Sequence, residues 1–249
     1  MSGAYTPGHA PGVVAFMARR AAATHAAFAL PLLRPGMDVV DAGCGPGTIT
    51  CGLALAVAPG TVTGVDADPG QVAEAARRAA DAGVRNARFV AADAYALPFG
   101  DGDVDAAFSN ALVEHLSRPV DALGELRRVV RPGGWAAVAT PDWDAFLLAP
   151  EDPEVAAALA AYREIQEANG GDTRAGRRLG EHMAAAGFRD VRLEARFERH
   201  DDPGVIARYL ADRLEREPDG AGHGAALRRW CAHPRALFAQ AWVEAVGTA

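Results

Sequence analysis

The chain is poor in cysteine, in unbroken apolar runs and in net positive charge, and each shortage removes a class of protein. Cys44, Cys51 and Cys231 are odd in number and scattered with no CxxC pair, so neither a disulfide framework nor a zinc site is indicated. A reducing cytoplasm is the expected compartment. No apolar run reaches the ~18 residues of a membrane span, and the opening MSGAYTPGHAPG lacks the charged-then-apolar layout of a signal peptide. A formal charge of -7 and a pI near 5.5 argue against a surface built to hold a phosphate backbone, so no nucleic-acid partner is expected. No Gly-Lys-Ser/Thr closes a phosphate-cradling loop anywhere.

What is present is bulk and rhythm. With 249 residues, 50% of them hydrophobic, the chain is long enough for one domain with insertions, and a second full domain is not expected. Short β-branched runs alternate with alanine-rich, charge-bearing stretches, the pattern of βα units on a mostly parallel, doubly wound sheet. Strands are expected over 37–43, GTVTGVDAD, ARFVAAD, VDAAFSN and GGWAAVAT, with helices from Thr48 to about Ala58, from Pro69 to Gly83 and over PVDALGELRRVV. Residues 144–170 read as one long helix, followed by a helix and a sixth strand in AGRRLGEHMAAAGFRDVRLEARF. Two further helices, DDPGVIARYLADRLERE and GAALRRWCAH, are separated by a flexible-looking PDGAGHG, and ALFAQAWVEAVG alternates like a final strand. The organisation is then an N-terminal lid or helix (1–35), a core (36–142), helical insertions on the substrate side (143–175 and 201–235) and a last strand (236–249).

The loop after the first strand, VVDAGCGPGTIT, strips away its side chains. Gly43, Gly45 and Gly47 let the backbone turn tightly and approach a ligand, while the helix opening at Thr48 offers unpaired N–H groups. In an open α/β sheet this loop borders the ligand crevice beyond the strands' carboxyl ends. A dinucleotide fingerprint, GxGxxG, requires a glycine where Thr48 stands, and Asp41 would repel a pyrophosphate but hold an ammonium group. Asp66 ends the second strand, where a carboxylate can accept both hydroxyls of a ribose; Asp93 ends the third, where it can accept from an adenine amino group. Each of these acids also fits a helix cap or turn.

Together VVDAGCGPG, the acid of VTGVDAD, AADAYALPF, SNALVEHL and LRRVVRPGGWAAVATP resemble the class I S-adenosylmethionine-dependent methyltransferases, in particular the ubiquinone/menaquinone-biosynthesis-like (methyltransferase type 11) small-molecule group. The resemblance covers about residues 5–145 and implies a Rossmann-like α/β fold: a seven-stranded sheet in the order 3-2-1-4-5-7-6, strand 7 antiparallel, with helical lid insertions. It further implies that Asp41 and Gly43, Gly45, Gly47 and Thr48 hold the methionine portion of the cofactor and that Asp66 with Ala67 takes the ribose. By the same resemblance Gln71 packs on the adenine, Asp93 and Ala94 read its edge, and Ser109 and Asn110 lie near the sulfonium. The leader YTPGH resembles a segment that relatives fold over the cofactor, making Tyr5 and His9 lid contacts, though it also fits a flexible leader.

A sulfonium is already an activated methyl donor, so the protein must chiefly align a nucleophile and exclude water. His115, just past the fourth strand, is the candidate general base, with His9 a weaker one; His115 equally fits a packed loop histidine. Asp142 and Asp144 suggest a divalent metal only in passing, since no third ligand is apparent, and no metal is expected. Trp143, Phe146, Tyr162 and Trp242 are candidates for the wall of an aromatic pocket, and Arg177 and Arg178 for contacts to an anion or for a solvated helix end. The expected activity is methyl transfer from S-adenosylmethionine to an O, N or C atom of a small-molecule acceptor in specialised-metabolite or quinone-type biosynthesis, leaving S-adenosylhomocysteine. A protein that binds these nucleosides without transferring methyl remains the alternative, with a dehydrogenase third. A homodimer is compatible with the sequence.

Overall fold

The computed structural model describes residues 5–8 and 11–249. Short helices α1 (Pro11–Met17) and α2 (Ala22–His25) lead into β1 (Val39–Ala42), α3 (Thr48–Val57), β2 (Val62–Asp66), α4 (Pro69–Asp81), β3 (Ala87–Ala91), β4 (Val104–Asn110) and α5 (Pro119–Val129). There follow β5 (Val130–Ala149), α6 (Pro153–Ala168), α7 (Ala175–Ala185), β6 (Arg189–Arg199), α8 (Pro203–Leu214), α9 (Gly220–Cys231) and β7 (Leu237–Thr248). The described residues form a seven-stranded sheet in the order β3-β2-β1-β4-β5-β7-β6, with β7 antiparallel to both of its neighbours. Among the described residues no helix is long and apolar enough to cross a membrane.

Alternation along the strands divides the core between the two faces of the sheet. Val40, Ala107 and Val138 pack with Leu123 and Leu126 of α5 and Leu179 and Met183 of α7. Their neighbours Val39, Ala106, Phe108 and Ala137 face Ile49, Leu53 and Val57 of α3 and Ala79 of α4. A third cluster lies where β5, β7 and β6 run on past β4: α6, α8 and α9 pack Leu159, Tyr162, Leu210, Leu214, Leu227 and Trp230 against Trp143 and Phe238. Three helices start on the dipeptide Asp-Pro, with Asp68, Asp152 and Asp202 each accepting a backbone N–H of the first turn at 2.8 Å and proline at the first helical position.

Two segments depart from the sequence expectation. The helix expected from residue 144 starts at Pro153, because β5 continues to Ala149 with Phe146 to Ala149 paired to Gln240 to Leu237 of β7. Between Asp142 and Phe146 the register shifts, and this bulge turns Trp143 into the third cluster, where its N–H donates to Thr173 O at 2.8 Å. Two of the three glycines of PDGAGHG serve close packing, and Gly220 already belongs to α9: a Cβ there would lie 1.7 Å from Leu214 O, and one at Gly224 would lie 2.2 Å from Glu215 Oε1, whereas Gly222 faces open space.

Burial ranks the cost of damage. Phe108→Ala, at a site 1% exposed between β1 and the α3 face, should lower the unfolding free energy by about 3–5 kcal/mol. Asp152→Ala, which removes only the α6 cap, should cost about 1 kcal/mol. Urea denaturation of the two variants measures both; equal losses would refute this division between core and cap.

Candidate functional site

A cavity of 410 Å³ opens at the carboxyl ends of β1, β2, β3 and β4. Its floor is the loop between β1 and α3. Gly43, Gly45 and Gly47 all have left-handed φ, at 74°, 50° and 75°, a region costing a residue with a side chain roughly 1–2 kcal/mol. Their duties differ. Gly45 faces open space, a Cβ there meeting nothing nearer than Met17 Sδ at 4.0 Å, whereas a Cβ on Gly47 would lie 2.7 Å from Ala75 Cβ and 2.9 Å from Phe89. Gly45 therefore keeps the cavity floor bare, and Gly47 lets α4 and β3 press against the loop from behind.

Acids fix the loop in place. Asp66 at the end of β2 accepts from Gly45 N at 2.9 Å through one carboxylate oxygen and from Asp68 N at 3.0 Å through the other. Each oxygen retains a lone pair for a further donor. Asp41, 2% exposed, accepts from Thr50 Oγ1 at 2.6 Å. Burial raises its pKa to about 7 against the hydroxyl's opposing pull, with the charge of Asp66 adding to the rise. Asp93 accepts from Tyr95 N at 3.0 Å. Two amides are built in without partners: both side-chain polar atoms of Asn110 and Oε1 of Gln71 are buried with no hydrogen-bond partner, although both residues line the cavity. Leaving such groups unpaired is costly, so a polar ligand is the natural complement.

Tyr5, Asp41, Gly43, Gly45, Thr48, Asp66, Ala67, Gln71, Asp93, Ala94, Asn110 and His115 all line this cavity. Ser109 and Gly47 do not. Ser109 points to the other side of the alternating strand, where its hydroxyl donates to Ala42 O at 2.9 Å and ties β4 to β1; Gly47 is occupied with packing as above. His9 lies outside the described residues. Cys44 is a buried filler whose thiol is pushed far up by burial, with Asp41 and Asp66 adding to the effect.

A second cavity, of 430 Å³, adjoins the first through a common wall of Tyr5, Met17, Arg20, Ala111 and His115. The chain leaves β4 through Ala111, held at a left-handed φ of 56°, and a single 3-10 turn at Val113–His115 brings the imidazole into that wall. Tyr5 meets the His115 ring edge-on at 4.8 Å. His115 Nε2 lies 3.6 Å from Glu114 Oε1, while His115 Nδ1 is buried without a partner. Burial lowers the His115 pKa to about 3, helped by the charge of Arg20, so the ring is neutral and a proton acceptor. Glu114 accepts from Thr140 Oγ1 at 2.7 Å, and burial raises its carboxyl to about 7 against that hydrogen bond.

Trp143, Tyr162 and Trp242 wall the second cavity, joined by Phe16 and Tyr209. Phe146 instead stacks on Phe238 at 5.9 Å. The acids Asp142 and Asp144 are consumed by arginines: Asp142 holds Arg177 at 2.7 Å, and Asp144 holds Arg163 at 2.8 Å and Arg174 as well. Arg178 pairs with Asp172 at 2.8 Å. Sequence reasoning missed Arg20, Met17 and Glu114. Glu114 adjoins His115 in the chain and was legible on that ground; Arg20 and Met17 sit in a leader whose path only the fold reveals.

With this geometry in hand, residues 40–138 match the family model described as a methyltransferase domain. An uncharacterized methyltransferase of Schizosaccharomyces pombe is 32% identical over 183 residues, covering 69% of this chain and 65% of that protein. A demethylmenaquinone methyltransferase of Beutenbergia cavernae is 40% identical over 116 residues, 45% of each chain. Among solved structures the [4+2]-cyclase SpnF superposes with a TM-score of 0.59 at 23% identity, over 95% of this chain and 80% of that one. The chain spans between about a third and two thirds of the length of the curated relatives it matches first.

The duties of Gly45 and Gly47 separate by mutation. Gly47→Ala should lose roughly 1–3 kcal/mol to overpacking beyond the roughly 1–2 kcal/mol of left-handed strain, whereas Gly45→Ala should lose the strain alone. Thermal and urea unfolding of both variants checks this, and equal stabilities would return Gly47 to the cavity floor.

Proposed function

Residues 40–138 being a class I S-adenosylmethionine-dependent methyltransferase domain, we propose that the whole chain transfers a methyl group to an O, N or C atom of a small molecule bound in the second cavity. The observation that carries this reading is the pair of cavities meeting at one wall, the first holding unpartnered Asn110 and Gln71 amides over a bare glycine loop. Specialised-metabolite or quinone-type biosynthesis suits a pocket of this size, within the ordinary range for small ligands. The demethylmenaquinone relative supports that class by likeness alone.

The residues present fit the nucleoside. Asp66 would take the ribose hydroxyls on its spare lone pairs, Asp93 and Ala94 the adenine edge, Gln71 the adenine side, and Asp41 with Asn110 the methionine portion. When bound, S-adenosylmethionine supplies a methyl group already activated on a sulfonium sulfur and leaves as S-adenosylhomocysteine. The chain's task is to align the acceptor across the common wall and to keep water out; Tyr5, Met17 and Ala111 close that wall. For an acceptor that keeps its proton, His115 Nδ1 is the receiving atom, and Glu114 beside Nε2 stabilises the imidazolium that results. A nucleoside-binding protein that promotes another reaction is the second reading, favoured by the likeness to a chain titled as a cyclase.

Calorimetry should show S-adenosylmethionine and S-adenosylhomocysteine binding and NAD failing to bind; a reversed order would sink the reading. Nucleoside binding without methylated product from any acceptor in a screen would select the second reading. Asp66→Ala should weaken S-adenosylhomocysteine by about 1–3 kcal/mol, and an unchanged affinity would refute the ribose assignment.

The same binding has a pH signature. A ligand ammonium favours charged Asp41, whose carboxyl is protonated below about pH 7 in the free protein. Affinity should then fall as pH drops from 8 to 6, by up to about tenfold per unit below 7; Asp41→Asn should flatten that slope. For His115→Ala, turnover should fall while nucleoside affinity holds, and an unaltered rate would leave the histidine a packing residue.

A further inference from the structure

The second cavity carries a charge pattern that its aromatic walls do not explain. Trp242 lies between two guanidinium groups, Arg20 Cζ at 5.5 Å and Arg196 Cζ at 5.7 Å from its ring, and Arg20 Cζ also stands 6.0 Å from the Phe16 ring. Arg196 donates through Nε to Glu244 at 2.7 Å, but its Nη2 is buried with no acceptor, and Gln240 Nε2 in the same wall is likewise unpartnered. Among the described residues Arg20 has neither a hydrogen-bond acceptor nor a carboxylate within ion-pair distance. The Arg20 guanidinium and Arg196 Nη2 are therefore donors without an acceptor, while one buried acceptor of the same wall, Glu198 Oε2, also makes no hydrogen bond.

Each acid of the same wall already has a hydrogen-bond partner or a cationic neighbour. Glu198 lies 3.3 Å from His25 Nε2 and 3.6 Å from Arg196 Nη1. Burial would push its carboxyl up, but the His25 hydrogen bond and the charges of His25, Arg20 and His200 bring it down to about 2. Asp201 is held by Arg199, and Glu114 bonds Thr140 and is held up to about 7 by burial. Arg20 is thus surplus positive charge, on a planar group suited to a carboxylate. Its field acts on Glu114, His115, Glu198, His200 and Tyr209, all in the second cavity. Asp41 and Cys44 on the nucleoside side instead respond to neighbouring acids.

The rest of the wall offers ring faces. Tyr162 and Tyr209 spend their hydroxyls on each other at 2.9 Å, Phe16 stacks on Tyr209 at 4.5 Å, and Trp143 meets Tyr162 at 4.8 Å. Flat apolar surface with a convergent cationic edge selects a ring bearing an anion. Resting on the reading that this cavity receives the acceptor, we propose that its substrate class is a planar aromatic carboxylic acid, the carboxylate held by Arg20 and Arg196 Nη2 beside Trp242 and the ring between the aromatic walls.

Calorimetry of the full chain with 1-naphthoate and its neutral isostere 1-naphthamide, each with and without S-adenosylhomocysteine, tests this. Naphthoate should bind about tenfold or more tightly than the amide, the scale of one charge-assisted interaction. Arg20→Gln and Arg196→Gln should each remove most of that preference, and Arg196→Gln, which lies outside the nucleoside cavity, should do so with the S-adenosylhomocysteine dissociation constant unchanged within about twofold, the size of a negligible free-energy change. Equal affinity for the two probes, binding of neither, or a preference that survives Arg20→Gln would overturn the proposal. So would an Arg20→Gln protein that loses nucleoside affinity instead, since Arg20 would then belong to the cofactor's own carboxylate. The nucleoside titration alone reads the methyltransferase assignment, so its failure is told apart from failure of the carboxylate preference.

Discussion

One carboxylate holds the site together. Asp66 receives the amide of Gly45 on one oxygen and that of Asp68 on the other, so the tip of β2 fixes both the glycine loop after β1 and the entry to α4. That tie adds to the backbone bonds from Gly43 N and Cys44 N to Val65 O in holding three left-handed glycines, each as free to abandon its conformation as to adopt it, in one shape. With it, the loop is pre-shaped and its backbone faces the cavity. The same carboxylate keeps lone pairs for a ligand, which couples recognition to the loop's order.

The second half of the site depends on strands that are longer than the sheet needs. β5, β7 and β6 continue together beyond β4, and α6, α8 and α9 close over that extension. The bulge after Asp142 aims Trp143 inward, while Trp242 opposite Pro141 and Arg196 supplies the other aromatic face. The N-terminal segment completes the chamber: Tyr5, Phe16, Met17 and Arg20 come from residues that make no strand, yet line the space next to His115. The two cavities are thereby lined by different parts of the chain, meeting at the wall around His115.

Much of this was legible before folding. Local signals carry the first cavity: glycines at fixed spacing behind Asp41, Asp66 at a strand end, and proline after Asp68 are each readable from their immediate neighbours in the chain. Asn110 and Gln71 were named through the resemblance, and the structure places both in the cavity lining, with both polar atoms of the Asn110 side chain and Gln71 Oε1 buried and unpartnered. Ser109 misled because strand alternation decides which of two adjacent polar residues faces the crevice, and register is set by neighbours far along the chain. The same distance hid the end of β5: Phe146 to Ala149 look helical beside the alanines that follow, and only their pairing with β7 makes them strand. Arg20 was invisible for a like reason, its meaning arising from Trp242, more than two hundred residues away in the chain.

The central claim is that a sulfur-containing nucleoside lies along the Gly43–Gly47 backbone with its ribose on Asp66, facing an acceptor chamber across His115. A crystal structure grown with S-adenosylhomocysteine examines it most directly. The account requires density over that loop, ribose oxygens within hydrogen-bond reach of both Asp66 oxygens, and the Asn110 amide newly partnered. Density elsewhere, or a loop closed by protein side chains with Asn110 still unpaired, would contradict it.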